Sequence, residues 1–178
     1  VGVPVVRLTQ RPSSLGTHAG QKGDAYAFCR THTLSANDDR SSEEVEIPFD
    51  LSFFGTPYDR LFVNNNGNIT FDAPQATYTP SAITGATGIP IIAPFFADVD
   101  TRNDASDLVT YGASADGTRF CVNWADVGYF DSHADKLNTV QLILTQKTDG
   151  AGRVDGDFDI TFNYDRISWE TGDASSGE

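Results

Sequence analysis

The sequence predicts an all-β fold, an antiparallel two-layer β-sandwich with long loops and little helix. Apolar side chains recur at every second position in residues 45–53 and 158–164. This two-residue period is typical of strands that bury one face and turn the other toward water. Turn residues separate seven or more short apolar runs, and no run keeps a helical period for three turns.

The first half of the chain predicts a strand, a hairpin and a long loop. Residues 1–20 have no sustained period, which indicates a loose entry segment or an isolated strand. The sequence VEIPFDLSF predicts a strand, and its Pro48 favours an edge or a bulge. LFVNNNGNITF predicts a hairpin, because Asn and Gly tolerate the positive φ of a tight turn. Residues 72–90 are rich in Pro, Gly and Thr and predict a long loop.

The second half of the chain predicts further strands. The run IIAPFFADV, residues 91–99, has the apolar character of a buried strand. Three shorter runs predict strands at residues 108–111, 119–127 and 140–144. The run FDITFNY is the most regular, because its apolar and polar residues alternate without a break.

The chain contains two cysteines, Cys29 and Cys121. No CxxC or Cys/His spacing indicates zinc. A long-range disulfide is the favoured interpretation, and two buried free thiols are the alternative. Because alternation points Cys121 away from Phe120 and Trp124, a bridge would pin the N-terminal segment to the outer face of a central strand. Closing a loop of this length would stabilise the fold by about 4 kcal/mol.

Composition limits the partners that we expect. A length of 178 residues suits one domain with a hydrophobic core. A formal net charge of −13 would repel a phosphate backbone, so we expect no nucleic-acid partner. No stretch approaches the roughly 20 apolar residues of a membrane span, so we expect no membrane insertion by this segment. The start, VGVPVV, lacks the basic leader of a signal peptide and suggests a mature product or an excised fragment.

A run of acidic residues follows the predicted strand at 91–99 and makes a candidate calcium site. Its carboxylates come from Asp98, Asp100, Asp104 and Asp107. Alternation at the strand end would aim the first two to the same side, and the other two would fold back from the loop. The run lacks the glycine and the final glutamate of an EF-hand loop. The alternative is a solvated loop in which Arg102 balances part of the charge.

One covalent modification is suggested by sequence. Asn68-Ile69-Thr70 is an N-glycosylation acceptor tripeptide, and the predicted hairpin would place it in an exposed turn. The prediction applies to a chain that passes through a eukaryotic secretory pathway.

The sequence lacks the signals of common enzymes. The nucleophile elbow, the dinucleotide and P-loop glycine motifs and the zinc-protease helix motif are all missing. We therefore expect a protein that is not an enzyme. A glycosidase is the catalytic alternative, and it would need two carboxylates that face each other across a groove.

Several segments together resemble the NIDO domain, an extracellular module of nidogen-, alpha-tectorin- and mucin-type proteins. In chain order they are VEIPFDLSFFG, YDRLFVNNNGNITF, IIAPFFADVDTRN, VNWADVGYF, KLNTVQLILTQKTDG and FDITFNYDRISWETGDASSG. The resemblance covers residues 45–178 as a NIDO-like domain and leaves residues 1–44 as an N-terminal segment packed on it. By this likeness the turn at residues 65–67, the acids at 98 and 100 and the closing residues Trp169 and Gly172 are family positions.

The resemblance implies a noncatalytic interaction module that is secreted or displayed at the cell surface, in an adhesive, matrix or surface-coat protein. Its expected partners are other extracellular proteins or copies of itself, through sheet edges and loops. The alternative is a calcium-dependent carbohydrate-binding domain, for which Tyr129 and Phe130 are the candidate aromatic contacts for glycans. Assembly into filaments by strand addition is a further alternative.

Overall fold

The computed structural model describes residues 26–83, 88–148, 152 and 155–175, together with the backbone of strand residues 5–9. Over these residues the predicted all-β sandwich is confirmed, because two sheets pack together. Helix is limited in the described ranges to two short 3-10 turns, Ala27–Arg30 and Asp173–Ser175. The rest of the predicted entry segment and part of the predicted long loop, residues 84–87, lie outside the described residues.

The described part of the chain contains ten strands, numbered in chain order. They are β1 (Val5–Thr9), β2 (His32–Thr33), β3 (Val45–Phe53), β4 (Thr56–Asn64), β5 (Asn68–Thr70), β6 (Ile91–Ile92), β7 (Thr110–Ala113), β8 (Arg119–Tyr129), β9 (His133–Gln146) and β10 (Phe158–Arg166). The larger sheet has the order β1-β10-β9-β8-β7-β2, and the smaller has the order β3-β4-β5-β6. The pairing of β1 with β10 is parallel, and the other described pairings are antiparallel.

The core lies between the two sheets, and alternation along β8 places its side chains as the sequence predicts. Phe120, Val122 and Trp124 are almost completely buried. The indole Nε1 of Trp124 donates to the backbone carbonyl of Asn64 at 3.2 Å. This bond satisfies the only polar group of the side chain and ties the larger sheet to the β4–β5 hairpin.

The predicted disulfide between Cys29 and Cys121 is confirmed. Cys121 faces away from the core, and the bridge lies on the outer face of the larger sheet. There the two cysteines and Ile143 form a second buried cluster, which Tyr26 and Phe28 cover. Residues 26–30 are therefore fixed on a central strand, as the alternation of β8 indicates.

A row of polar side chains crosses the outer face of the larger sheet. Asn163 donates to Gln141 at 2.8 Å, Gln141 donates to Asn123 at 2.8 Å, and Asn123 donates to Thr110 at 3.3 Å. These residues occupy paired positions on β10, β9, β8 and β7. The expectation that this face of FDITFNY meets water is wrong at Asn163, which is 9% exposed. Buried amides can occupy this face because they satisfy one another.

The strand predicted at residues 91–99 is wrong beyond β6. Pro94 has no N–H to donate to a sheet, and its carbonyl accepts the Tyr164 hydroxyl at 2.7 Å. The backbone then turns toward the β4–β5 hairpin, where the Phe95 N–H donates to the Gly67 carbonyl at 3.2 Å. The segment is irregular because the hairpin turn satisfies its polar groups in place of a neighbouring strand.

Each sheet is bordered by a short or interrupted strand. In the larger sheet the border strands are β1 and the two-residue β2. In the smaller sheet they are β3 and the two-residue β6. The prediction from Pro48 is confirmed, because β3 is a border strand whose register with β4 shifts between Glu46 and Leu51.

Candidate functional site

Polar groups from distant parts of the chain meet around the turn of the β4–β5 hairpin. The contributing segments are residues 37–40, the turn 65–67, residues 95–102 and the closing residues 168–173. We call this region the acidic corner and define it by Asp38, Asp39, Asp98, Asp100 and Arg102.

Two asparagine amides of the hairpin turn build the acidic corner. Asn65 Nδ2 donates to the backbone carbonyls of Asp38 and Val99, both at 2.5 Å. Asn66 accepts the Val99 N–H at its Oδ1, at 3.0 Å, and donates from Nδ2 to the Asp39 carboxylate at 2.8 Å. Both asparagines are 1% exposed. The turn therefore uses its side chains to hold two other loops in register.

Two glycines allow the close approach of these segments. Gly67 has a φ of +75°, and a Cβ there would lie 1.4 Å from the Phe95 carbonyl oxygen, so no other residue fits. A Cβ on Gly172 would lie 2.7 Å from Oδ2 of Asp98. The closing segment thus passes directly over the Asp98 carboxylate.

Among the carboxylates of the acidic corner that form no ion pair with a described residue, Asp98 is the least exposed. It is 1% exposed, and its Oδ2 is buried with no hydrogen-bond partner among the described residues. Burial raises the pKa of Asp98 to about 7, and the negative charges of Asp38 and Asp39 add to the increase. The Asp98 carboxyl therefore holds a proton to a higher pH than an exposed carboxyl does.

Asp100 differs from Asp98 because it has a complete set of donors. Arg102 donates to both of its carboxylate oxygens, at 2.9 and 2.5 Å, and the Ser132 N–H donates to it at 2.8 Å. Burial alone would raise the pKa of Asp100, but the bonds from Arg102 and Ser132 outweigh it and lower the pKa. Asp100 therefore fixes Arg102 in the corner.

Asp38 resembles Asp98 more than Asp100. Its Oδ1 is buried without a partner, while its Oδ2 lies 3.3 Å from Nη2 of Arg102. Burial raises the pKa of Asp38 to about 6, with further increases from the charges of Asp39 and Asp100. In the described part of the chain, one oxygen each of Asp38, Asp39 and Asp98 lie within 4.8 Å of one another. This trio has the donor atoms and spacing of a metal site.

The four acids predicted as calcium ligands are not brought together. Asp98 and Asp100 lie in the acidic corner, but Arg102 occupies both oxygens of the latter. Asp104 and Asp107 are exposed, although partial desolvation of the Asp107 carboxyl and the charge of Asp126 raise the pKa of Asp107. The predicted fold-back of these two acids does not reach the Asp98 carboxylate.

Asp38 and Asp39 were not among the site residues predicted from the sequence. They lie in the stretch SANDDRSSEE, which has no periodicity and precedes the segments that resemble a known family. The signal that could have indicated them is the acid pair itself, followed by a buried hairpin turn that is rich in amide donors.

The closing segment is clamped by one buried side chain. Asn138, fully buried on β9, accepts the N–H groups of Ser168 and Trp169 at its Oδ1 and donates to the Trp169 carbonyl at 2.8 Å. Trp169 packs against Phe95 and Tyr129, with ring centroids 5.1 and 5.4 Å away. Its ring fills space inside the domain, where 6% of the residue is exposed.

A groove of about 430 Å³ is lined in part by Gly172, the residue that packs closely against Asp98 of the acidic corner. It is lined by Tyr129, Lys136, Trp169, Glu170, Thr171, Gly172 and Asp173. Phe130, the second aromatic candidate for glycan contact, lies under the Arg102 guanidinium instead. The structure therefore places one of the two candidate aromatics at a groove.

The exposed turn predicted for Asn68 is wrong. Asn68 is 0% exposed, accepts a hydrogen bond from Asn64 at 2.7 Å and donates from its own Nδ2 to the Asn66 carbonyl at 3.0 Å. A glycan on Nδ2 is incompatible with this packing. The hairpin buries a polar residue here because neighbouring amides satisfy it.

The model of the family described as NIDO related matches residues 18–177. This chain belongs to the NIDO-related family. The match begins well before residue 45, and the described residues 26–41 of the NIDO-related chain contact both the disulfide face and the acidic corner. No helix in the described residues is long and apolar enough to cross a membrane.

Curated relatives of the NIDO-related chain are extracellular matrix proteins, and the chain is an extracellular module. Alpha-tectorin of Mus musculus is 31% identical over 180 residues, which cover 86% of this chain and 8% of the relative. Alpha-tectorin of Gallus gallus is 34% identical over 79% of this chain and 7% of its own length. Nidogen of Drosophila melanogaster is 30% identical over an alignment that covers 64% of this chain and 10% of the nidogen. The chain spans less than a tenth of the alpha-tectorins, and no solved structure matches it.

Several of the positions that carry the family resemblance lie together in the structure. The hairpin turn, the acids after β6 and the closing Trp169 and Gly172 all border the acidic corner. Direct contacts join the turn to the segment after β6, and that segment to Trp169 and Gly172.

Proposed function

We propose that this chain is a noncatalytic interaction module that binds other extracellular proteins or copies of itself. The observation that carries the proposal is the tip of the β3–β4 hairpin, where Phe54 is 78% exposed. Its φ of +50° is unusual for a bulky residue and costs on the order of 1 kcal/mol. The ring is held edge-on against Phe53, at 4.6 Å between centroids, and Phe53 belongs to the core.

An exposed aromatic side chain that packs against the core has the properties expected of a residue that contacts a binding partner. Ordering it costs little on binding, because its backbone and its neighbour already fix its position. Membership in a family of matrix proteins supports the same proposal. Other exposed apolar residues of the described surface, such as Tyr78 at 43%, lie in loops outside this tip.

The test compares Phe54→Ser with Tyr78→Ser as a matched control. Sedimentation velocity would measure self-association, and surface plasmon resonance would measure binding to a panel of purified matrix proteins. We expect the wild-type chain to self-associate or to bind a member of the panel. Phe54→Ser should weaken that binding at least tenfold, or about 1.4 kcal/mol, with unchanged melting, and Tyr78→Ser should not. Absence of any binding by the wild type, or equal binding by Phe54→Ser, contradicts the proposal.

A calcium-dependent carbohydrate-binding domain is the second candidate, favoured by the groove beside the acidic corner. Tyr129 offers an aromatic edge there, and Lys136, Glu170 and Asp173 offer polar contacts. A glycan array probed with and without calcium would test it. Binding that is lost in Tyr129→Ala would support this candidate over the first.

A further inference from the structure

The carboxylates of Asp38, Asp39 and Asp98 are close enough to share one ion. One oxygen from each lies within 4.8 Å of the other two. Oxygens bound to a single calcium ion at roughly 2.3–2.6 Å lie no more than about 5 Å apart. The trio therefore has the spacing of ligands before any ion is added.

The second observation is that two of these carboxylates have buried oxygens without donors. Asp98 is 1% exposed, and its Oδ2 has no hydrogen-bond partner among the described residues. Oδ1 of Asp38 is in the same condition. Burial of a carboxylate oxygen without a donor or a cation is costly, and both oxygens belong to residues of the same trio.

The charge of the trio is not balanced by its surroundings. Arg102 is 3.3 Å from Asp38, but it donates to both oxygens of Asp100. Within the described ranges, neither Asp39 nor Asp98 forms an ion pair with a basic side chain. A single guanidinium thus faces four carboxylates of the acidic corner.

We propose that Asp38, Asp39 and Asp98 bind a calcium ion that holds the loop at residues 37–40 against the segment after β6. A donor set made only of oxygen atoms selects a hard divalent cation over zinc or copper. Three carboxylates leave coordination positions for water, which suits calcium with its six to eight oxygen ligands. The site requires no partner protein, so its test is separate from that of the interaction function.

The experiment is a calcium titration of the chelator-stripped chain by isothermal calorimetry, with magnesium titrated in parallel. We expect one saturable site per chain, with an affinity in the range of roughly 10⁻⁴–10⁻³ M typical of extracellular modules, and a weaker response to magnesium. Thermal unfolding should move to higher temperature in calcium than in chelator.

Two variants make the result specific to the trio. Asp98→Asn should weaken calcium binding by more than about tenfold, the lower range for loss of a residue that merely supports a ligand. Asp104→Asn, an exposed acid outside the trio, should bind calcium as the wild type does. Asp98→Asn removes a buried charge at nearly constant shape, so its melting in chelator should be at least as high as that of the wild type. No calcium binding by the wild type, or undiminished binding by Asp98→Asn, overturns the proposal.

Discussion

Reduction of the Cys29–Cys121 disulfide should lower the free energy of unfolding by about 4–5 kcal/mol. The two cysteines are 92 residues apart. In the chain-entropy model, a cross-link over a loop of this length removes about 16 cal/mol/K of entropy from the unfolded chain, or about 4.6 kcal/mol at 25 °C. This is a large share of the roughly 5–15 kcal/mol by which domains are stable.

Urea unfolding with and without a reductant would measure the effect. Trp124 and Trp169 are both buried in the folded chain, so their fluorescence reports unfolding. The dependence of the free energy on urea should also become steeper after reduction, because the open chain exposes more surface. The variant with both cysteines changed to Ala should lose a similar amount, plus the packing of the sulfur atoms. A difference below about 1 kcal/mol between oxidised and reduced chains would refute the reasoning.

Two further predictions concern the acidic corner and the closing segment. The pKa of Asp98 in the folded chain is raised from 3.8 to about 7. The contribution of Asp98 to the free energy of unfolding is therefore most favourable below pH 4 and is lost as pH rises through 7. In chelator, the difference in free energy of unfolding between wild type and Asp98→Asn should therefore fall by no more than about 4 kcal/mol over this pH range. Urea unfolding at several pH values would measure it. A difference that stays constant with pH would contradict the prediction. Asn138→Ala should cost about 2–4 kcal/mol in the same assay, because Ser168 and Trp169 lose their buried partners; a cost below 1 kcal/mol would show that the clamp is dispensable.

The layered fold was predictable because its strands follow a local rule. The alternation of Phe120, Val122 and Trp124 placed one face of β8 in the core and Cys121 on the other, and the structure agrees. The failure at residues 91–99 also has a local cause. An apolar run predicts burial, but Pro94 prevents the regular pairing of a strand.

The acidic corner was only partly predictable, because its three neighbouring carboxylates, Asp38, Asp39 and Asp98, come from two loops about 60 residues apart in sequence. Closeness in sequence suggested Asp104 and Asp107 as companions of Asp98, whereas the hairpin turn brings in Asp38 and Asp39. The prediction that Asn68 is exposed was wrong for a related reason. A polar residue in a turn normally predicts exposure, but here the neighbouring amides compensate its burial.

The arrangement of the border strands affects how such modules associate when they are crowded in a matrix. A long, flat border strand is a template for another chain, but β2 and β6 have two residues each and β3 is irregular around Pro48. Backbone pairing between copies is therefore disfavoured at these three borders, and β1, with five residues in regular register with β10, is the border strand best suited to it. At the other three borders, contacts between neighbouring molecules depend on side chains, whose strength and reversibility can be altered by single substitutions.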